Sequence, residues 1–400
     1  MKKILFLFLI LHCTLHIDNC FSQWVQVNNG MGNRTVYSLA TSGNNIFAGT
    51  DFNGGVHLST NNGTSWTQTS LIQNIFGLAV NTNYVFAGTQ SNGVYLSANN
   101  GNTWSQTSLG NRWVTALAAN GNYVFAGVYS PDGLYLSPNN GTSWTQTSLI
   151  NRSVRSLAVT GNNIFAGTYT YGVYLSTNNG SSWIQTSLNN RTVYSIAING
   201  NDIFAGTDLG VYLSANNGTT WTQTALNNVS VLSLAVSGNN IFAGTYGSGA
   251  YISNNYGASW TQRNEGLSNF CLISLCILNN YIFAGTFCEM PRGVYRRPLS
   301  ELVGIVPISN EIPNQFSLSQ NYPNPFNPTT NVQFSIVNVQ YVTLKIFDLL
   351  GREVATLVNE QLQPGTYEVD WDGSGFASGV YYYKLVAGDY TETRKMVLMK

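Results

Sequence analysis

The sequence predicts an all-β protein: a seven-bladed β-propeller closed by its N-terminal strand, followed by a small immunoglobulin-like β-sandwich. Three observations carry that reading. Phe-Ala-Gly-Thr begins at Phe47, Phe86, Phe165, Phe204, Phe242 and Phe283, with Phe-Ala-Gly-Val at Phe125, making seven copies 38 to 41 residues apart. A second series, Ser-x-Asn-x-Gly-x-x-Trp, ends at Trp66, Trp104, Trp144, Trp183, Trp221 and Trp260, six copies in step with the first. No window carries a helical period, and Gly and Asn punctuate the chain about every ten residues.

Each repeat reads as four short strands. In the first, Thr35 to Thr41 is partly alternating and ends at the turn residues Ser42-Gly43-Asn44. Ile46 to Thr50, Val56 to Ser59 and Trp66 to Thr69 follow as strands two, three and four. Four antiparallel strands per period of about 40 residues is the arithmetic of a propeller blade. The ends of the repeat region complement one another. Trp24 opens the segment Trp-Val-Gln-Val, which resembles the Trp-Thr-Gln-Thr that follows the boxes at Trp66, Trp144 and Trp221 and its one-residue variants in the others, while the last repeat stops after its third strand at Gly293-Val294-Tyr295. An open array would leave both edges unpaired, whereas a ring lets the first strand complete the last blade.

The flanks differ in character. Residues 1–22 read as a signal peptide: Lys2 and Lys3, the apolar run Ile4 to Leu11, then small residues before a cleavage expected after Ser22. That run is too short to span a bilayer, so no transmembrane segment is expected after processing. His12 before Cys13 and Asn19 before Cys20 are poor neighbours for lipidation. Residues 23–299 form the propeller, and residues 300–315, with Pro307 and Pro313, read as a linker. Residues 316–400 bring back lysine, absent between Lys3 and Lys345, and carry strand-like segments at Val342 to Phe347, Tyr367 to Trp371, Val380 to Leu385 and Thr393 to Leu398.

Composition narrows the chemistry. Charged residues make up 8% of the chain, and 17 basic residues balance 17 acidic ones, so no net field draws nucleic acid or an anionic membrane. Of three histidines, His12 and His16 lie in the leader, leaving His57 alone. That excludes the usual zinc sites and histidine-based triads, and neither a metal nor a cofactor is expected. Cys271, Cys276 and Cys288 fit no zinc spacing. They read either as buried small residues or as a pair made with Cys288 in an oxidising compartment.

Two resemblances add to this reading. The Ser-x-Asn-x-Gly-x-x-Trp segments resemble the Asp-box repeat of sialidases, sortilin-type receptors and many secreted propellers, with Asn61, Asn99, Asn139, Asn178, Asn216 and Asn255 at the usual Asp position. The resemblance implies a turn-stabilising box between strands three and four, away from any active site. The C-terminal region resembles the sorting domain of the type IX secretion system of certain Gram-negative bacteria. Its matching residues are Tyr322-Pro323-Asn324-Pro325-Phe326, Leu344-Lys345-Ile346-Phe347-Asp348, Gly351-Arg352-Glu353-Val354 and Pro364-Gly365-Thr366-Tyr367. Trp371-Asp372-Gly373, Ser378-Gly379-Val380-Tyr381 and the terminal Lys400 complete the set, with Phe347 where tyrosine is common. The resemblance implies passage through the periplasm, recognition by the type IX machinery and its sortase-like peptidase, and arrival at the outer-membrane surface or in the medium.

A ligand is expected on the face formed by the two–three loops and the links between blades. Arg34, Arg112, Arg152 and Arg191 recur at one link position, with Gln73, Val229 and Phe270 in the other blades. The loops add Asp51, Tyr129, Tyr169, Tyr171, Asp208, Tyr246 and Phe287. Guanidinium forks suit carboxylate or sulfate and aromatic rings suit sugar faces, so a polysaccharide, glycan or surface protein is the expected partner, held near the central opening. The same arginines also read as caps on blade carbonyls left by duplication. The alternative to binding, a sialidase-like glycosidase, needs an acid and a carboxylate-assisted nucleophile. The repeats hold only Asp51, Asp132, Asp202, Asp208, Glu265 and Glu289, spread over different blades. No catalysis is therefore expected.

Overall fold

The structure is a computed structural model that describes residues 23–299, 302, 305–309, 312–373 and 376–400. The expected leader, with its cleavage after Ser22, lies outside the described residues. The described chain is all-β. Seven four-stranded antiparallel sheets cover Val25 to Pro298 and resemble propeller blades, and two more lie beyond them.

The first sheet sets the pattern: Val36–Ser42, Asn45–Thr50, Gly55–Ser59 and Thr67–Gln68 pair in chain order. The Phe-Ala-Gly-Thr motif lies on the second strand, and each residue has a packing reason. Phe47 and Ala48 are fully buried. Gly49 faces the next sheet, where a Cβ would lie 2.6 Å from Ile75 Cγ2. Its counterparts Gly88, Gly127, Gly167, Gly206 and Gly244 press against Val114, Val154, Val193, Val231 and Leu272 in the same way. Thr50 donates its hydroxyl to Gly55 O at 3.0 Å and closes the two–three loop, as Thr89, Thr168, Thr207, Thr245 and Thr286 do in theirs.

The seventh sheet is completed from the chain start, in the order Val25–Gln26, Val294–Pro298, Tyr281–Thr286, Leu272–Leu278. Gln26 pairs with Tyr295, the register that Gln106 makes with Tyr95 and Gln185 with Tyr174. Its amide donates to Arg292 O, as Gln68, Gln106, Gln146, Gln185, Gln223 and Gln262 donate to their own two–three loops. The last sheet also meets the first. Leu272–Leu278 packs on Val36–Ser42, a Cβ on Gly285 would collide with Val36, and Ser274 Oγ donates to Val36 O at 2.8 Å.

Beyond Pro298 two four-stranded sheets share one apolar core that includes Phe326, Phe334, Leu344, Trp371, Tyr383 and Met396. One contains Thr329–Ile336 and Gly365–Asp372, the other Gln340–Phe347, Glu353–Leu362, Gly379–Ala387 and Tyr390–Leu398. The segment expected to be a linker, 300–315, departs from that reading. Ile305–Ser309 is a strand paired with Gly365–Asp372, and Leu302 is buried among residues of the last blades. Pro307 did not prevent this, because among the described residues Ile305–Ser309 stands at the edge of its sheet.

Candidate functional site

The inner strand of every propeller sheet carries the same irregularity. Pairing skips one residue between Val36 and Ser38, and likewise in the other six sheets, leaving Tyr37, Phe76, Thr115, Arg155, Tyr194, Leu232 and Ile273 as bulge residues. A bulge re-aims the extra side chain. All seven line a central cavity of about 250 Å³. The preceding residue is a buried aliphatic one in every blade, from Val36 to Leu272. The blades are thus nearly uniform where they pack and diverse at the bulge.

A partial collar of aromatic rings starts from Tyr37 and Phe76 of the cavity lining and runs through the two–three loops and links beside it. Tyr246 meets Phe287 at 6.5 Å, Phe287 meets Tyr37 at 6.3 Å, and Tyr37 stacks on Phe76 at 4.5 Å. Phe76 then presents to Trp113 edge-on at 5.5 Å, and Trp113 stacks on Tyr129 at 4.8 Å. The Arg155 guanidinium lies 5.9 Å from the Tyr129 ring and 5.4 Å from the Tyr169 ring, carrying the collar to the fourth sheet. Tyr129, Tyr169 and Tyr246 are each about half exposed, at 43%, 50% and 58%. Trp113 Nε1, Arg155 Nε and Asp208 Oδ1 are buried atoms without a hydrogen-bond partner. Burial raises the phenol pKa of Tyr37, with Asp51 adding to the rise and Arg292 opposing it. Tyr194 is raised by burial and by Asp208, against Arg155.

The repeated arginines do not converge on the opening, as the sequence reading expected. Arg152 Nε donates to Tyr174 OH at 3.1 Å, its Nη1 donates to Asn151 O at 2.8 Å, and the guanidinium covers the Tyr171 ring at 4.0 Å. Arg191 repeats this with Tyr212 and Asn190 O, while Arg112 pairs with Asp132 at 2.8 Å and caps Asn111 O. Tyr174 and Tyr212 belong to third strands and Tyr171 to a two–three loop, so these side chains are held within their own blades, away from the inner strands. The lone Arg34 has a different neighbour: it and burial hold the His57 imidazole down at about 4, burial being the larger cause.

The opposite face carries the boxes. In the first, Asn61 Oδ1 accepts from Ser59 Oγ and Ser65 N at 3.0 Å, Ser59 Oγ accepts from Gly63 N, and Asn61 Nδ2 donates to Ser65 Oγ. Asn99, Asn139, Asn178, Asn216 and Asn255 make the same set. The asparagines are spent on turns, and no metal-ligand group of three or more His, Cys, Asp or Glu occurs among the described residues. Cys271 and Cys288 form a disulfide that ties the two–three loop carrying Phe287 to the start of the last inner strand. Cys276 is free, and burial pushes its thiol up to about 12.

The C-terminal motif residues divide by exposure. Phe326 is buried against Trp371 at 5.3 Å and bonds through its backbone to Val397 and Met399. Asn324 Oδ1 accepts from Val397 N, and Pro323 O accepts from the buried Thr330 hydroxyl. Gly351, at φ +76°, closes the turn organised by the Asp348 carboxylate, which accepts from Leu350 N and Arg352 N. Gly365 starts a strand opposite Ile336, and Gly373 N donates to Pro328 O. Tyr381 packs edge-on to Trp371 and donates to Ala377 O, Gly379 pairs with Leu398, and Lys400 N donates to Ser378 Oγ. Tyr322 differs: its ring is 81% exposed.

Compared with curated proteins, the chain matches none. Solved structures of propeller-like proteins match its fold. PorZ, a surface component of the type-IX secretion system of Porphyromonas gingivalis, aligns at TM-score 0.60 and 17% identity, over 94% of this chain and 61% of that one. The extracellular domain of the one-component system BT4673 from B. thetaiotaomicron aligns at 0.57 and 20%, over 83% of this chain and 47% of that one. YCF48 from Cyanidioschyzon merolae aligns at 0.55 and 14%, over 70% of this chain and 99% of that one. The chain thus spans less than two thirds of the first two, and identities this low speak for fold alone. Residues 320–399 match the family model of a secretion system C-terminal sorting domain. The chain therefore carries a type IX sorting domain behind an all-β, propeller-like body, which marks it for export to the cell surface or the extracellular space.

Proposed function

We propose that the mature protein is a secreted or surface-held seven-bladed propeller, closed by Trp24 to Val27, which binds a glycan or protein partner without catalysis. In this reading the C-terminal unit is an immunoglobulin-like sandwich that serves export and is then removed or exchanged for an anchor. The observation that carries the binding role is the aromatic collar. Exposed rings on Tyr129, Tyr169 and Tyr246 stand on the loop face, where Tyr129 and Tyr246 end a run of ring contacts through Phe287, Tyr37, Phe76 and Trp113, a pattern typical of interaction sites.

The glycosidase alternative has less support. Glu265 is paired with Arg297, Asp132 is paired with Arg112, and Asp51 accepts from Thr35 N, so three of the six acids are engaged structurally. Asp202 starts a second strand at the one–two turn, on the box face. A glycan array run beside fluorogenic glycosides tests the proposal: binding without turnover is expected, and turnover refutes it. Export is tested by deleting residues 316–400 in a type IX host. The truncated protein should stay in the periplasm, and its normal arrival at the surface would overturn the role given to the sorting domain.

A further inference from the structure

We propose that the mouth of the central cavity is a subsite for one terminal, uncharged sugar unit, held between Arg155 and Asp208 and stacked on Tyr129 or Tyr169. This rests on the non-catalytic binding function proposed above and names its ligand class and location.

The argument begins with unpaired atoms. Trp113 Nε1 and Arg155 Nε are buried donors and Asp208 Oδ1 is a buried acceptor, none with a hydrogen-bond partner in the protein. Leaving such groups unsatisfied is costly, and Arg155, which lines the cavity, and Asp208 both act on Tyr194, another residue of the lining. A sugar hydroxyl donates and accepts at once, so a polyol answers a mixed set of this kind better than an anion does. An anion would satisfy Trp113 and Arg155 but would leave the Asp208 carboxylate unpaired and repelled.

Charge around the mouth points the same way. Tyr194 feels one acid, Asp208, and one base, Arg155, while Tyr37 feels Asp51 and Arg292. Arg191 also senses Asp208, but it is engaged with Tyr212 and Asn190 O. At Tyr194 and at Tyr37 one acid thus stands against one base, so neither position marks a field of a single sign. Size limits the ligand further. A cavity of about 250 Å³ falls below the roughly 300–1,000 Å³ of sites for drug-sized ligands, which suits a chain end. The flanking Tyr129 and Tyr169 rings, about half exposed, supply apolar faces for the C–H side of a sugar ring.

The test uses the full chain and two sets of immobilised glycans. The neutral set is glucan, mannan, galactan and chitin oligosaccharides; the acidic set is polygalacturonate and chondroitin sulfate. Affinity for any neutral hit is then measured by titration of tryptophan fluorescence. A neutral glycan should bind, with little change between about 50 and about 500 mM salt. Arg155→Ala and the near-isosteric Asp208→Asn should each weaken it at least tenfold, while Ile184→Ala on an outer strand should not. Melting curves identify any variant that fails to fold, and Asp208→Asn then decides the matter. Preference for the acidic set, or neutral binding that survives both variants, overturns this subsite but leaves the binding function standing. Absence of any glycan binding overturns the subsite and the glycan half of the function together. Turnover of the bound glycan overturns the non-catalytic reading alone.

Discussion

Replacing Trp24 with alanine should destabilise the propeller by about 3–5 kcal/mol, the usual cost of truncating a buried aromatic side chain. Trp24 is 2% exposed and belongs to the core that includes Ile252, Leu272, Ile282 and Tyr295. Its indole donates to Arg263 O at 2.8 Å and its backbone N–H to Glu265 O at 2.8 Å, so it joins the sixth and seventh sheets. Only two residues beyond it, Val25 and Gln26, form the strand that covers the edge of Val294–Pro298. At roughly 2 °C per kcal/mol for a domain of this size, melting should drop by about 6–10 °C. Circular dichroism reads the melting, and light scattering should reveal self-association as the uncovered edge finds partners. Val25→Ala, at a half-exposed position, is the control. A Trp24→Ala protein that melts within a degree of the parent and stays monodisperse would refute the argument that the N-terminal strand closes the ring.

Three other expectations follow from particular contacts. Asn178→Ala should cost about 1–2 kcal/mol, because it frees Ser182 N and Ser176 Oγ from Asn178 Oδ1, whereas Asn178→Asp should be close to neutral since Ser182 Oγ can turn donor; chemical denaturation measures both. His57 has a folded pKa of about 4 against an ordinary 6.5, so between those values the unfolded chain binds more protons. Its contribution is intact above pH 6.5 and is lost as pH falls, by about 3 kcal/mol at pH 4, and His57→Tyr, the residue of Tyr95 and Tyr174, should remove that share of the acid sensitivity in urea melts. Reducing the Cys271–Cys288 disulfide, which spans 17 residues, should cost about 3 kcal/mol and lower melting by about 6 °C, while an unchanged melt would mean that the loop stays closed by its hydrogen bonds alone.

Much of the architecture was legible because it repeats. Phe47, Ala48, Gly49 and Thr50 are each dictated by a local job, namely core, core, close approach and loop cap, so duplication writes those jobs into the sequence at a readable period. The Asn box is equally local, since all of its bonds lie within five residues. The match between Trp-Val-Gln-Val and the fourth strands likewise marked Gln26 before its contact with Arg292 O was known. In the C-terminal region Thr329–Ile336 and Glu353–Leu362 were not recognised as strands, because sequence patterns weaken where turns replace a fixed period.

The candidate site was harder to read, and the reason is the bulge. A strand alternates its side chains only while pairing is regular, and Tyr37, Phe76, Arg155 and Tyr194 each occupy the residue that breaks it. Reading alternation through that point gives no hint that they turn into the channel. The repeated arginines drew attention instead because repetition is visible, yet Arg152 and Arg191 turn outward to Tyr174 and Tyr212. Comparing the residue after the buried aliphatic position across repeats, Tyr37 to Ile273, was the available signal. The sequence by itself determined the blades, whose strands pair with near neighbours, and marked the sorting domain through the ordered motifs from Tyr322 to Tyr381. Only the tertiary structure brought Phe287, Tyr37, Trp113 and Arg155 together, since they come from different blades, and Phe287 reaches Tyr37 only because the last sheet lies against the first.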